Sequence, residues 1–309
     1  MNMNDKLKPL VGIAIATHNR KEILRECIKA INNSKYYNIV ICIVDDGSTD
    51  GTWKMLNNDF PEIVSIKGDG SLWWGGATNK AIKACLDLKC EHVILLNDDC
   101  IIQENTISKF IQCSEDFSGA VISPVVLDIN HHNKIWWAGS TWGPVKFFPF
   151  IWLIRQKYPH HIPVSELPNF PYNTSEFTGR GTFISRSVFE SMGLIDAETF
   201  PQYGSDNDFS LRVTTSGGRA IVDPNNRVFL YTEEAGQNTS GSFLTLPVRF
   251  FKLMFYRKHG DVVRVWWHVL KRHAPWYAVI PSHVFILILT FLRVFKILPV
   301  IYRFFDYKN

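Results

Sequence analysis

Three acidic clusters punctuate the first two thirds of the chain: Asp45-Asp46 in VDDGSTDG, Asp98-Asp99 in ILLNDDC, and Asp206 with Asp208 in YGSDNDFSLR. Carboxylates gathered in one place suit a divalent cation and a phosphorylated ligand, because a hard cation prefers oxygen donors and can bridge pyrophosphate oxygens. The first two pairs each follow a short apolar run rich in β-branched residues, at 39–44 and 93–96. Both therefore sit where a buried strand ends. In an open parallel α/β sheet that rim is where ligands bind. Asp206 stands in a helix-start context, GSDNDF, which also suits N-capping. Asp208 caps the same helix or holds Arg212, and no chemistry is assigned to it.

The elements that must position these groups alternate along the first hundred residues. Strands are expected at 11–16, 39–44, 63–67 and 92–96, and helices at 21–32, 52–57 and 77–88. The first helix carries Ile23, Leu24, Cys27, Ile28 and Ile31 on one side. That order implies right-handed crossovers and a mostly parallel sheet flanked by helices. Beyond Asp99 a helix is expected at 104–114 and a strand at 120–126. Residues 136–163 are rich in Trp, Phe and Pro, so no regular helix runs through them, and a hairpin followed by a loop is the reading. A strand at 177–184, helices at 187–192 and 209–215, and short strands at 219–222 and 228–231 close the globular part.

The 309 residues are 46% hydrophobic and 20% charged, enough for one large or two moderate cores. A net charge of +4 is too small to argue for nucleic acid. The six cysteines (Cys27, Cys42, Cys85, Cys90, Cys100 and Cys113) include no CxxC pair and no His partner at zinc spacing, so they read as buried free thiols. No signal peptide is read at the N-terminus. There is neither GxSxG nor GxxxxGK[ST], so a serine-hydrolase elbow and ordinary ATP hydrolysis have no support. His131-His132 and His160-His161 lie in loop-like sequence and read as solvated.

Taken together, VGIAIATHNR, VDDGSTDGT, NDD and SDNDFSLR, in this order, resemble the inverting family 2 glycosyltransferases with the GT-A fold, over roughly residues 9–230. SLWWGGATN and FTGRGTFISRSVFESMGLID are similar to bacterial enzymes that build surface polysaccharides such as O-antigen, rhamnosyltransferases among them. The resemblance implies that Ala16, Thr17, Asn19, Asp46 and Asp98 hold the nucleotide, Asp46 accepting from the base N–H of a uridine or thymidine donor. The alternative for DDGSTDG is a plain turn. Asp98 is implied to touch the ribose or the metal shell, and Asp99 to bind Mg²⁺ or Mn²⁺. Asn97 departs from a strict DXD motif. Asp206 matches the catalytic base, with Ser205 where the family usually has Glu.

Two glycine-bearing segments lie between. Trp74, Gly75, Gly76 and Asn79 open a helix, where small residues and exposed N–H groups favour a diphosphate sugar. Trp74 reads equally as a sugar platform or as core. Arg180 and Gly181 precede a strand that shapes the donor-sugar and acceptor pocket in related enzymes, and Arg180 is either a phosphate ligand or a solvated residue. The family's third metal contact, a His after the last core strand, is missing, since this stretch offers Tyr231, Glu233 and Glu234.

Three regions are expected: 1–100 for the nucleotide sugar, 101–240 for the acceptor in the same domain, and 241–309 as a membrane-associating tail. From 249 to 272 basic residues alternate with aromatic ones, which suits an anionic membrane surface. Residues 274–292 contain no charged side chain, yet Pro275, Pro281 and His283 interrupt them, and Arg293, Lys296 and Arg303 follow. Interfacial or re-entrant helices are favoured over one clean span, with a dimerising tail as the alternative. The expected function is metal-dependent, inverting transfer from a UDP- or dTDP-sugar to a lipid-linked or polysaccharide acceptor, at the cytoplasmic face of the plasma (inner) membrane. The rivals are a polyprenyl-phosphate sugar synthase, a nucleotidyltransferase, and a non-catalytic membrane-bound assembly partner.

Overall fold

A computed structural model describes residues 8–233 and 246–295. Glu234, Lys296 and Arg303, named above, lie outside the described residues. The first half alternates β1 (Val11–Thr17), α1 (Lys21–Asn32), β2 (Ile39–Asp45), α2 (Thr52–Asp59), β3 (Val64–Lys67), α3 (Trp73–Asp87) and β4 (His92–Leu96). There follow β5 (Cys100–Ile102), α4 (Thr106–Asp116), β6 (Val121–Asp128), β7 (His131–Trp137), β8 (Ser140–Val145), β9 (Phe148–Gln156) and β10 (Tyr172–Asn173). The chain continues with β11 (Arg180–Ser185), α5 (Arg186–Met192), α6 (Ser205–Thr215), β12 (Ala220–Leu230), α7 (Leu246–Phe255), α8 (Val262–His273) and α9 (Val279–Val294).

The main sheet runs β10-β12-β6-β11-β4-β1-β2-β3. Strands β1 to β4 pair in parallel, as expected from their crossovers. The second half is mixed: β6 and β12 are parallel, whereas β11 enters between β4 and β6 antiparallel to both. This reversal matters for the site. Because Arg180 pairs with Leu96, the start of β11 reaches the same rim as the ends of β1, β2 and β4.

Both sheet faces are covered, which is why the central strands read as nearly continuous apolar runs. Ile13 and Ile15 face α1, α2 and α4, where Leu24, Ile28, Leu56 and Phe110 complete one core. Ala14 faces the opposite core with Ala81 and Cys85 of α3, Phe189 of α5 and Phe209 of α6. All six cysteines are buried and unpaired. The Trp-rich segment does form a hairpin, β8–β9. His131 and His132 begin β7 instead of a loop.

The C-terminal helices dock on this body. Leu270 and Ile286 pack with Val145, Ile151 and Leu153 of the hairpin, while Val265 and Val269 pack on Phe200 and Leu211. A buried charge cluster fastens the joint. Asp208 accepts from Arg212 Nε at 3.0 Å and Arg272 Nη1 at 3.1 Å, and its Oδ1 lies 3.0 Å from His273 Nε2. Part of the basic stripe thus faces the protein and not a membrane, because a fully buried carboxylate needs paired donors.

Candidate active site

The rim of the sheet opens into a cleft of about 580 Å³, lined by Asp46, Asp98, Asp99 and Asp206 together with Ala16, Thr17, His18, Arg20, Trp73, Trp74, Asn97, Gly179, Arg180, Gln202, Tyr203 and Lys258. The three acidic clusters therefore converge, each through a different device. Asp98 and Asp99 are held by the first loop. Thr17 Oγ1 donates to Asp98 Oδ2 at 2.7 Å, and Arg20 Nη1 lies 3.0 Å from both Asp98 Oδ1 and Asp99 Oδ2. Burial pushes the Asp98 carboxyl up to about 6, against the pull of Arg20.

Asp46 clasps the loop that leads into α3. Its two oxygens accept the backbone N–H groups of Gly70 and Trp73, both at 2.9 Å, and fix Trp73 at φ 57°. A non-glycine residue in that region is strained, so it persists where its surroundings over-determine it. Trp74 is half-buried in the cleft wall. Its indole N–H donates to Asn97 Oδ1 at 3.0 Å, and Gly179 lies so close to its ring that an added Cβ would fall 2.5 Å away. Asn97 thus anchors an indole at the place where a strict DXD motif would have an acid.

Asp206 sits in the first turn of α6. Gly204, at φ 82°, swings the chain into that helix, and a Cβ there would fall 2.4 Å from Val265 of α8. Burial raises the Asp206 carboxyl, and the nearby Arg180 guanidinium opposes the rise. Behind it lies Glu176, a residue that sequence reasoning missed. Burial and then the charge of Asp206 push Glu176 up to about 7, and Asn207 Nδ2 donates to it. The buried Arg180 Nε has no hydrogen-bond partner in the wall.

Several expected residues do not line the cleft. Asn19 is exposed and ties loops together: Ser48 Oγ accepts from its backbone N–H, and its Oδ1 accepts from the backbone of Thr49. Asn79 clamps Ile195 through both its N–H and its carbonyl. Gly181, at φ 95°, packs under Val228. The expected anion cradle at the start of α3 is already filled by protein. The N–H groups of Trp73, Trp74, Gly75 and Gly76 go to Asp46, Gln202 Oε1, Pro201 O and Leu72 O. Gly75 is small instead because the Phe200 carbonyl oxygen would lie 3.0 Å from a Cβ there.

Among the described residues no group of three or more His, Cys, Asp and Glu side chains could hold a metal ion. Asp98 and Asp99 nevertheless fit a divalent cation. They are two buried carboxylates that converge on one cationic nitrogen, which is the donor chemistry a hard cation takes.

Residues 12–193 match the family described as Glycosyl transferase family 2. The chain belongs to that family. This glycosyltransferase is 22% identical to the glycosyltransferase GlyG of Streptococcus pneumoniae over 259 residues, which span 83% of this chain and 82% of GlyG. It is 23% identical to the dTDP-rhamnosyl transferase RfbF of Shigella flexneri over 276 residues, 89% and 85% of the two chains. Among solved structures, the mannosyltransferase PcManGT of Pyrobaculum calidifontis, in complex with GDP-Man and Mn²⁺, matches with a TM-score of 0.57 at 16% identity. That match covers 94% of this chain and 75% of the other. The glycosyltransferase has the GT-A fold, and its relatives act in glycan synthesis.

Proposed function

We propose that this glycosyltransferase moves a sugar from a UDP- or dTDP-sugar, with inversion, to a lipid-linked or polysaccharide acceptor at the cytoplasmic face of a membrane. The observation that carries the reading is the meeting of Asp46, Asp98, Asp99 and Asp206 in one cleft with Arg20 and Arg180. Thr17, Ala16 and Asp98 form the nucleoside wall. Asp46 shapes that wall by holding the Gly70–Trp73 loop, and each of its oxygens, already accepting one backbone N–H, has a second lone pair with which to accept from the base. Asp98 and Asp99 would hold Mg²⁺ or Mn²⁺. When bound, that cation offsets negative charge on the departing nucleoside diphosphate.

Trp74, locked by Asn97, offers an aromatic wall to the sugar. Asp206 takes the proton of the acceptor hydroxyl as that oxygen attacks the anomeric carbon. The bond from this carbon to the diphosphate oxygen breaks, and its electron pair leaves with the nucleoside diphosphate. A carboxyl raised by burial is a better base than an exposed one, because its pKa lies closer to working pH. Arg180 keeps enough of it ionised to act.

The membrane side of the proposal rests on exposed apolar surface. Residues 276–294 are, by length and composition alone, long and apolar enough to cross a bilayer. Yet α9 has 16 residues, about 24 Å at ~1.5 Å per residue, short of the ~30 Å hydrocarbon core. One of its faces is also used: Ile286 packs on the hairpin core, and Ser282 Oγ accepts the Trp152 N–H. The other face exposes Ile280, Val284, Ile288 and Phe291. Trp276 and the hairpin tip residues Phe147, Phe148 and Phe150 are exposed as well. An interfacial helix fits this arrangement better than a span.

Turnover of a panel of UDP- and dTDP-sugars, followed by release of nucleoside diphosphate, tests the chemistry. Asp206→Asn should lose about 10²–10⁴-fold in rate while donor binding persists. A variant that keeps near-normal transfer removes Asp206 as the base.

A further inference from the structure

We propose that Lys258, on the turn between α7 and α8, binds the diphosphate of the donor, so that the C-terminal region completes the cleft; this rests on the glycosyltransfer reading above. Residues 249–272 read in the sequence as a surface for lipid. In the structure the 3-10 turn Arg257–His259 brings Lys258 into the lining of the cleft that Trp73 and Tyr203 also line.

The turn is pinned on both sides. Arg257 lays its guanidinium 5.8 Å over the Trp73 ring, and Trp73 is itself held by Asp46. The Tyr256 carbonyl accepts from both His259 and Asp261, closing the turn. Beyond it, α8 is fastened through Arg272 and His273 to the buried Asp208. Lys258 is therefore delivered by a fixed support.

Charge accounting within the cleft points to the same role. A nucleoside diphosphate brings at least two negative charges into a site that already holds four carboxylates. The start of α3 cannot answer them, since its N–H groups are spent on protein acceptors. Arg20 is ion-paired to Asp98 and Asp99, whereas the Arg180 guanidinium makes no ion pair among the described residues and acts on Asp206 and Glu176 only through its charge. Lys258, like Arg180, has no carboxylate within ion-pair distance among the described residues, so its ammonium is open to an anion in the cleft. A flexible, point-charged ammonium suits a diphosphate whose geometry changes as the sugar departs.

The test is calorimetric titration of the full chain with UDP, dTDP, UMP and dTMP in the presence of Mn²⁺. Lys258→Ala should weaken the better-bound nucleoside diphosphate about tenfold, leave its monophosphate nearly unchanged, and be rescued by Lys258→Arg. Equal weakening of mono- and diphosphate would assign Lys258 a structural role and overturn the inference. Unchanged diphosphate binding would also overturn it, while leaving the glycosyltransfer reading intact. A wild-type chain that binds neither diphosphate would overturn both.

Discussion

Removing Arg20 isolates the electrostatic heart of the site. Its Nη1 lies 3.0 Å from Asp98 Oδ1 and 3.0 Å from Asp99 Oδ2, and both carboxylates are at most 6% exposed. Breaking a buried ion pair by deleting one partner costs about 3–5 kcal/mol, because the other charge is left uncompensated. The Arg20 side chain is 32% exposed, so solvent screening brings the expected loss down to about 2–3 kcal/mol. At ~2–4 °C per kcal/mol for a chain of this class, Arg20→Ala should melt about 4–12 °C lower. The same variant presents two unopposed carboxylates to a cation. Mn²⁺ should therefore raise its melting temperature by more than it raises that of the wild type, in line with ligand linkage. The assay is a thermal melt of both proteins across a Mn²⁺ series. If Arg20→Ala melts like the wild type and ignores Mn²⁺, then Arg20 neither balances the acidic pair nor marks a cation's place.

Asp208→Ala removes the shared acceptor of Arg212, Arg272 and His273 and, with the two partly exposed arginines keeping other acceptors, should cost about 2–3 kcal/mol in a chemical denaturation curve; loss of under 1 kcal/mol would mean that the C-terminal helices are held by apolar contacts alone. Glu176 has a folded-state value of about 7 against 4.5 for the free side chain, so its penalty is absent at pH 4, grows between pH 4.5 and 7, and is complete above 7. Glu176→Gln should accordingly raise the melting temperature at pH 8, by up to ~3 kcal/mol in stability, and change little at pH 4; equal effects at both values would contradict that ionisation. Phe148→Glu at the exposed hairpin tip should reduce co-sedimentation with vesicles containing anionic lipid and leave the fold unchanged; undiminished binding would confine membrane contact to the helices.

Much of the acidic rim was readable because it depends on local patterns. Apolar runs that end at Val44 and Leu96, just before the acidic pairs, mark buried strands ending at one edge, and the apolar face of α1 shows as Leu24, Cys27, Ile28 and Ile31. What stayed hidden depends on partners distant in sequence. The segment around Gly75 and Gly76 looks like an anion cradle, until Gln202 and Pro201, more than a hundred residues away, take its N–H groups. Asn97 looks like a weakened metal motif but is the acceptor for Trp74. Arg20 carried a signal, being a basic residue three positions past the end of β1. Glu176 carried none, since its neighbour Asp206 comes from another element. Lys258 lay within a stripe whose composition suits lipid, and only tertiary docking of α8 turns it toward the cleft.

The most direct measurement is a crystal structure of the full chain grown with UDP or dTDP and Mn²⁺. The metal is expected at about 2.0–2.6 Å from a carboxylate oxygen of Asp98 or Asp99. The diphosphate is expected inside the cleft, with Asp206 on the side left open for the acceptor. Nucleotide bound away from the rim where these carboxylates meet would contradict the proposed glycosyltransfer site.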